Sequence, residues 1–234
     1  MNDRMAAIDP SVLKQFILFQ DLTPAQRARI ASIARDRRFP KRHTVFLEGE
    51  KGNYVVLIVS GIIKISRSSS DGRVKTLALL RPRDFFGEMA LFLPGHERSA
   101  TAEALTDCRV ITIEQLDFEK LLKEVPGISL RIIQTLAHRL QAANRQIKTL
   151  ALGDSQSKLA DLLLWLKDEF PPVASAEGTI PVIPLTHQEL ADLAGLSRET
   201  TTRMLNVLEH DGIVRLKARH VHLTDIEKLK KYAT

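Results

Sequence analysis

Glu88, Arg98 and Ser99 put a carboxylate, a guanidinium and a hydroxyl into one short, otherwise apolar stretch, FFGEMALFLPGHERSATAEA, at residues 85–104. A strand ending in Gly87–Glu88, a helical turn through MALFL, a loop and then Arg98–Ser99 would aim backbone N–H groups, a bidentate fork and one O–H at a single negative group. A carboxylate is wrong for a phosphate but right for a ribose hydroxyl. The set therefore suits a cyclic nucleotide, one phosphate diester fused to a sugar with a free 2′-OH. The plainer alternative is an Arg98–Glu88 or Arg98–Glu97 ion pair on the rim of a barrel.

A second set of polar residues lies in LTHQELADLAGLSRETTTRMLNVLEHDGIVRLKARHVHLTD, residues 185–225. Thr186 with Glu189 forms a capping box, Gly195 permits a tight turn, and Ser197 caps a second helix running to about Glu209. That is helix-turn-helix spacing. Leu190, Leu193, Leu196, Met204 and Leu208 would hold the helices on a core. The opposite face of the second helix carries Arg198, Glu199, Thr202, Arg203 and Asn206, in the turns that enter a major groove. An arginine can pair with guanine O6 and N7, and a glutamate can accept from cytosine N4. Beyond it, apolar residues alternate with Arg215, Lys217, Arg219, His220 and His222, a two-stranded wing whose cations suit phosphates. Between 186 and 234 eight Lys/Arg face seven Asp/Glu, so it is position rather than net charge that argues for double-stranded DNA.

The elements that must position these residues follow from periodicity. Residues 11–35 carry helical spacing, with Thr23 as an N-cap before Pro24. From Thr44 the chain reads as short antiparallel strands (TVFLEGE, YVVLIVSGIIKISR, VKTLALL, SATAEAL, CRVITIE) with tight turns, Asp71–Gly72 being the clearest hairpin signal. Strands at this spacing form a sandwich, jelly roll or barrel. A long helix then runs from near Ile128 to Leu152. On it Leu130, Ile133, Ala137, Leu140, Asn144, Ile147 and Ala151 alternate spacings of 3 and 4, a heptad seam that predicts a homodimer. Ile132, Leu136, Ala143 and Leu150 form a neighbouring stripe left to pack on the strands. Gly153–Asp154 should break the helix, SQSKLADLLLWLKDEF starts another, and the proline-rich 171–184 reads as an exposed loop with a short strand at its end. The expected organisation is α+β: a cyclic-nucleotide-binding β jelly roll at 1–127, a dimerisation helix at 128–152, and a winged helix-turn-helix domain at 153–234.

Composition narrows the function class. The chain has 234 residues, a net charge of +6, seven histidines and one cysteine. No apolar run approaches the roughly 18 residues of a membrane span, and the N-terminal stretch lacks a secretory pattern, so a cytoplasmic protein with no membrane partner is expected. One cysteine, Cys108, cannot hold an iron–sulfur cluster and reads as a buried strand residue. His96 reads as a solvated loop residue. No Walker A, G-x-S-x-G or Rossmann fingerprint occurs, HERSA lacks the second histidine of a zincin, and SQSK is an S-x-x-K match without companion motifs. The expectation is no enzyme, no catalytic residue and no metal.

The motifs FGEMALF…ERSA and THQELADLAGLSRETTTRMLNVLEHDGIV, in this order and separation, closely resemble those of the cyclic-AMP receptor (catabolite activator) family within the CRP/FNR superfamily of bacterial transcription regulators. The resemblance spans roughly residues 15–226. It implies a nucleotide cassette of Phe86, Gly87, Glu88, Met89, Ala90, Arg98 and Ser99, with Gly87 and Glu88 on the ribose and Arg98–Ser99 on the cyclic phosphate. It also implies DNA contacts from Ser197, Arg198, Glu199, Thr200 and Arg203, a TGTGA-like half-site in a palindrome, and RNA polymerase as a partner; Thr186, His187, Gln188, Thr202 and Lys217 complete the expected DNA-binding set. One departure concerns the base. Where the family's central helix presents a Thr-Ser pair, this chain has Ala143 and Asn144; Ala143 cannot hydrogen-bond a base, whereas Asn144 can. Arg139 keeps its place, and the resemblance gives it the role of bracing Glu88. Cyclic AMP is the effector implied first, with cyclic GMP or another nucleotide, a ligand-independent regulator, and a haem or redox sensor as alternatives.

Overall fold

The computed structural model describes residues 8–68, 74–152, 154–167, 170, 172–175, 178–217 and 220–233; the Asp71–Gly72 turn, Gly153 and Arg219 lie outside these. The chain divides into two compact units, one ending at His138 and the other beginning at Arg139, so the division falls inside a helix.

In the first unit the region read as helical is three short pieces. They are α1 (Pro10–Leu13), a 3₁₀ turn at Ile17–Phe19 and α2 (Pro24–Ile33), whose Thr23 cap forms a full box with Gln26. Arg35–Phe39 is then a strand, β1, rather than the end of a helix. Its RDRRF sequence lacks a hydrophobic alternation because β1 is a sheet edge. It is held by Asp36 on Arg109 at 2.5 Å and by Arg37 over the Tyr54 ring, not by burial. There follow β2 (Thr44–Phe46), β3 (Tyr54–Ser60), β4 (Ile63–Ser68), β5 (Val74–Leu80), β6 (Phe85–Phe86), α3 (Met89–Phe92), β7 (Thr101–Ala104), β8 (Cys108–Glu114), α4 (Gln115–Glu124) and α5 (Pro126–Leu152). Helix α5 starts two residues before the expected Ile128 because Pro126 takes a first-turn position, where its missing N–H costs nothing.

The strands form two four-stranded antiparallel sheets, β1-β8-β3-β6 and β2-β7-β4-β5, as expected of a jelly roll. Between them lies one core, with Val56 and Ile58 of β3, Cys108 and Val110 of β8, Phe86 of β6, and Phe46, Ile63, Leu80, Ala102 and Ala104 of the other sheet. The outer face of the first sheet carries a second core, where Val55, Leu57, Phe85, Ile111 and Ile113 meet the helical layer through Phe16, Phe19, Ile30, Phe118, Ile128 and Ile132. A sheet buried on both faces needs continuous apolar strands, which is why YVVLIVS and CRVITI show little alternation. Cys108 is buried in the inner core, and desolvation pushes its thiol pKa up, as befits a structural residue. On α5, Ile132 is buried and Leu136 packs beside it, while Leu130, Ile133, Ala137 and Leu140 are exposed. Of the remaining stripe and seam positions Ala143 and Asn144 are exposed, and the side chains of Ile147, Leu150 and Ala151 lie outside the described ones.

The second unit contains α6 (Ser155–Leu166), capped by Asp154 on the N–H groups of Gln156 and Ser157. The expected loop at 171–184 instead forms a hairpin, β9 (Val173–Ser175) with β10 (Gly178–Ile180), before β11 (Val182–Ile183). Proline punctuates its flanks, at 172, 181 and 184, and leaves the strand positions free to pair. Then come α7 (His187–Ala194), α8 (Arg198–His210), β12 (Val214–Lys217), β13 (His220–Leu223) and α9 (Ile226–Tyr232). Strands β11, β13 and β12 form one sheet in that order. Leu190, Leu205, Leu208, Val221 and Leu229 are all at most 1% exposed and anchor this unit's core.

Candidate functional site

The cassette is built by backbone necessity. At Gly87 φ is +83°, a left-handed turn between β6 and α3, and an added Cβ would stand 2.6 Å from Arg98 Nη1. Opposite, Gly49 N–H donates to Arg98 O, Arg98 N–H to Glu50 O and Gly52 N–H to His96 O, at 2.7–2.9 Å, so the 49–52 loop clamps the 96–98 loop. Gly52 is as constrained as Gly87, since its Cβ would meet Ala90 Cβ at 2.4 Å and Arg98 Nε at 2.9 Å.

Arg98 is only 2% exposed. Its fork points inward, but onto the protein, with Nη1 donating to Gly87 O at 2.9 Å and Nη2 to Tyr54 O at 3.0 Å. The guanidinium carbon lies 4.1 Å from the Phe46 ring centroid and 4.5 Å from that of Tyr54. Cation–π contact thus supplements the two bonds. Of the five N–H donors of the guanidinium, the buried Nε–H has no hydrogen-bond partner. Burial pushes the Arg98 pKa down while Tyr54, Glu50 and Glu88 pull it up, and the group stays charged. The fork rests on carbonyls rather than on the rim carboxylates of Glu88 or Glu97.

The other cassette residues separate by exposure. Phe86, Glu88 and Ala90 are buried, Met89 and Ser99 are exposed, and Ser99 Oγ contacts Met89 Sδ at 3.7 Å. His96 is exposed yet engaged, its Nδ1 lying 3.0 Å from Ala90 O, so it braces the α3 turn rather than standing free in solvent. Arg139, half-buried, and Asn144, exposed, stand on α5 within the second unit. Phe46, Gly52 and Tyr54 were not singled out from the sequence. The aromatics look like core residues there, and the one available signal was a second glycine three residues after Gly49, beside a cassette that needs close backbone approach.

The caps expected of the helix-turn-helix all form. Thr186 Oγ1 accepts from Glu189 N–H, and Glu189 Oε2 accepts from Thr186 N–H at 2.7 Å. Gly195 caps α7 at φ +68°, and Ser197 Oγ accepts from Thr200 N–H at 3.1 Å to start α8. Thr201, Leu205 and Leu208 face the core, while Arg198, Glu199, Thr202, Arg203 and Asn206, with Val207 and His210, line an open concavity. Glu199 stays ionised, its pKa held below the usual carboxylate range by its own backbone N–H, Ser197 and Arg198.

His187 Nδ1 lies 2.9 Å from Thr202 Oγ1, tying α7 to α8, and Gln188 Nε2 donates to Asp192 at 2.8 Å. These two residues therefore begin with protein partners. On the wing Arg215 and Lys217 are exposed, but His222 is half-buried, and burial together with His220, Lys217 and Arg215 depresses its pKa. His222 therefore adds less positive charge to the wing than the exposed Arg215 and Lys217 do. Leu216 N–H donates to Glu209 Oε1 at 2.7 Å and pins the wing to the end of α8.

Two family patterns match the chain, a cyclic nucleotide-binding domain over residues 36–125 and a Crp-like helix-turn-helix domain over residues 157–232. A CRP-like cAMP-activated global transcriptional regulator of Mycobacterium tuberculosis is 33% identical over 223 residues, covering 95% of this chain and 98% of the relative. A cyclic AMP receptor protein of Thermus thermophilus is 32% identical over 216 residues, covering 92% and 96%. Among solved structures, a global regulator of Xanthomonas campestris described as responsive to c-di-GMP is similar at 27% identity and a TM-score of 0.76, with 86% of this chain and 99% of that one covered.

Proposed function

The chain belongs to the CRP/FNR superfamily of transcription regulators, and from that premise we propose that it is a dimeric regulator binding palindromic DNA with TGTGA-like half-sites in response to a cyclic nucleotide, cyclic AMP first. The observation that carries the sensing half is the buried Arg98, clamped between Phe46 and Tyr54 with its Nε–H unpartnered. In this reading Arg98 and Ser99 take the cyclic phosphate, Glu88 and the Gly87 backbone take the ribose, and Phe86, Met89 and Ala90 form the wall beside them. The sensor comprises 1–127, the pairing helix 128–152 and the DNA reader 153–234.

The exposed Leu130, Ile133, Ala137 and Leu140 support pairing of α5 with a second copy, since an apolar seam of this length is otherwise left in water. Nucleotide touching its own cassette and the paired helices, with Asn144 toward the base and Arg139 bracing Glu88, would favour one helix arrangement. That arrangement sets the recognition helices about 34 Å apart, one turn of DNA. Ligand and DNA affinities are then reciprocally coupled by about 1–3 kcal/mol. Thr186, His187, Gln188, Ser197, Thr200 and Lys217 position the reader on phosphates, while Arg198, Glu199 and Arg203 face the bases and Thr202, bonded to His187, packs between them. The protein acts in the cytoplasm with RNA polymerase as its partner and carries out no catalysis; no described helix is long and apolar enough to cross a membrane.

Two observations favour a second reading, in which another nucleotide or no ligand is required. The Arg98 fork is already hydrogen-bonded to two protein carbonyls, and Ala143 and Asn144 replace the family's base-contacting pair. One experiment separates the readings. A panel of cyclic AMP, cyclic GMP and cyclic di-GMP is titrated against the purified chain with a labelled palindromic duplex as readout. Tight DNA binding induced by cyclic AMP alone is expected; equal binding without nucleotide overturns the sensing half and leaves the DNA reader standing.

A further inference from the structure

We propose that Asn206 is a further specificity-determining residue, reading an adenine one or two base pairs beyond the guanine assigned to Arg203; this rests on the reading of α8 as the DNA-recognition helix. Helix α8 has two clean faces. Thr201, Leu205 and Leu208 are at most 1% exposed and fasten it to the core. Glu199, Thr202, Arg203 and Asn206 fall at offsets of 0, 3, 4 and 7 on the other side and line one concavity. The same offsets separate the four positions with which a homeodomain's third helix reads the major groove. The family motif stops at Arg203, but the face does not.

The hydrogen-bonding chemistry of this face is divided. Arg198 and Arg203 only donate, which fits the two acceptors of guanine, and the ionised Glu199 only accepts, which fits cytosine N4. Thr202 has its hydroxyl committed to His187 at 2.9 Å. Adenine presents an acceptor beside a donor, and the carboxamide of Asn206 is the group on this face that offers both complements in one plane. Asn206 is exposed, and neither it nor Arg203 holds a hydrogen-bond partner among the described residues. Three residues of helix advance about 4.5 Å. Base pairs step by about 3.4 Å, so Asn206 reaches past the pair addressed by Arg203, on the side away from Glu199.

The test uses the full chain, with and without cyclic AMP, against palindromic duplexes in which one half-site is varied a position at a time and binding is read by fluorescence anisotropy. The wild type should prefer adenine at one position adjoining the guanine whose preference Arg203→Ala removes. Asn206→Ala should abolish the adenine preference alone, a loss of about 5- to 150-fold at that position, with the salt dependence unchanged. Asn206→Asp should move the preference toward cytosine, an outcome that a merely structural asparagine would not produce. If Asn206→Ala keeps the adenine preference, or weakens every duplex equally, the proposal is overturned while the DNA-reader assignment stands. If the wild type shows no positional preference in either condition and Arg203→Ala changes nothing, both fall.

Discussion

The two glycines at Gly52 and Gly127 should respond with opposite signs to the same one-carbon change. At Gly52 the added Cβ meets Ala90 Cβ at 2.4 Å, and Arg98 Nε and Cδ at 2.9 and 3.0 Å, where ordinary carbon contacts are about 3.5–4.0 Å. Ala90 is 1% exposed and Arg98 is pinned by two carbonyls and two rings, so neither can simply swing away. More than an ångström of backbone adjustment is required, and overpacking of that kind costs about 1–3 kcal/mol. For a unit of this size about 4 °C of Tm corresponds to each kcal/mol, so the Gly52→Ala transition should fall by about 4–12 °C. At Gly127, in the first turn of α5 with open space around the Cβ position, alanine removes unfolded-chain freedom and improves helix propensity by up to about 1 kcal/mol. That transition should rise by about 2–4 °C. Differential scanning calorimetry of the full chain, following the unit that ends at His138, measures both. A Gly52→Ala protein that melts with the wild type, or rises alongside Gly127→Ala, refutes the packing of Arg98 against the 49–52 loop.

Four further outcomes are expected. Arg98→Met keeps the stem between Phe46 and Tyr54 but orphans Gly87 O and Tyr54 O, so calorimetric titration should find no nucleotide binding and a urea melt should find about 1–3 kcal/mol less stability; undiminished nucleotide affinity would contradict the assignment. Ser197→Ala removes the α8 cap and should cost the second unit about 1 kcal/mol, read from urea unfolding by the fluorescence of the single tryptophan, Trp165 on α6. The Tyr232–Asp211 hydrogen bond, 2.8 Å, lowers the Asp211 pKa and raises that of Tyr232. Its stabilisation is therefore present between about pH 4 and pH 10, fading as pH falls through the depressed carboxylate value or rises through the elevated phenol value, and Tyr232→Phe should remove the alkaline edge from a pH-stability profile and shrink the acid edge, which His210 and Lys228 also maintain. Ile133→Lys with Leu140→Lys should yield a monomer in sedimentation equilibrium and abolish tight binding to palindromic duplexes; a variant that stays dimeric would exclude the α5 seam.

The parts legible in the sequence were those written in local chemistry. Thr186, Gly195 and Ser197 declare α7 and α8 through caps whose hydrogen bonds form as the spacing requires, and Gly87–Glu88 marks the end of β6. Where tertiary contacts override local signals, the reading fell short. β1 is charged because an edge strand can be held by an Asp36–Arg109 pair and an arginine on a ring, which no periodicity records. The β9–β10 hairpin hides among prolines that flank its strands, and α9 lay beyond the motif that carried the resemblance. The sequence named Arg98 but not its seat, because the carbonyls of Gly87 and Tyr54 that hold it come from segments 11 and 44 residues away.

Strand β6 is two residues long, and its neighbours in sequence belong to different interiors: Phe85 sits among the helices with Ile128 and Ile132, Phe86 between the sheets with Phe46 and Val110. Tightly filled interiors have no slack to absorb a shift on one side alone. A pull at Gly87–Glu88 is therefore shared at once by the inside of the barrel and by the first turns of α5, as a rivet through two plates loads both.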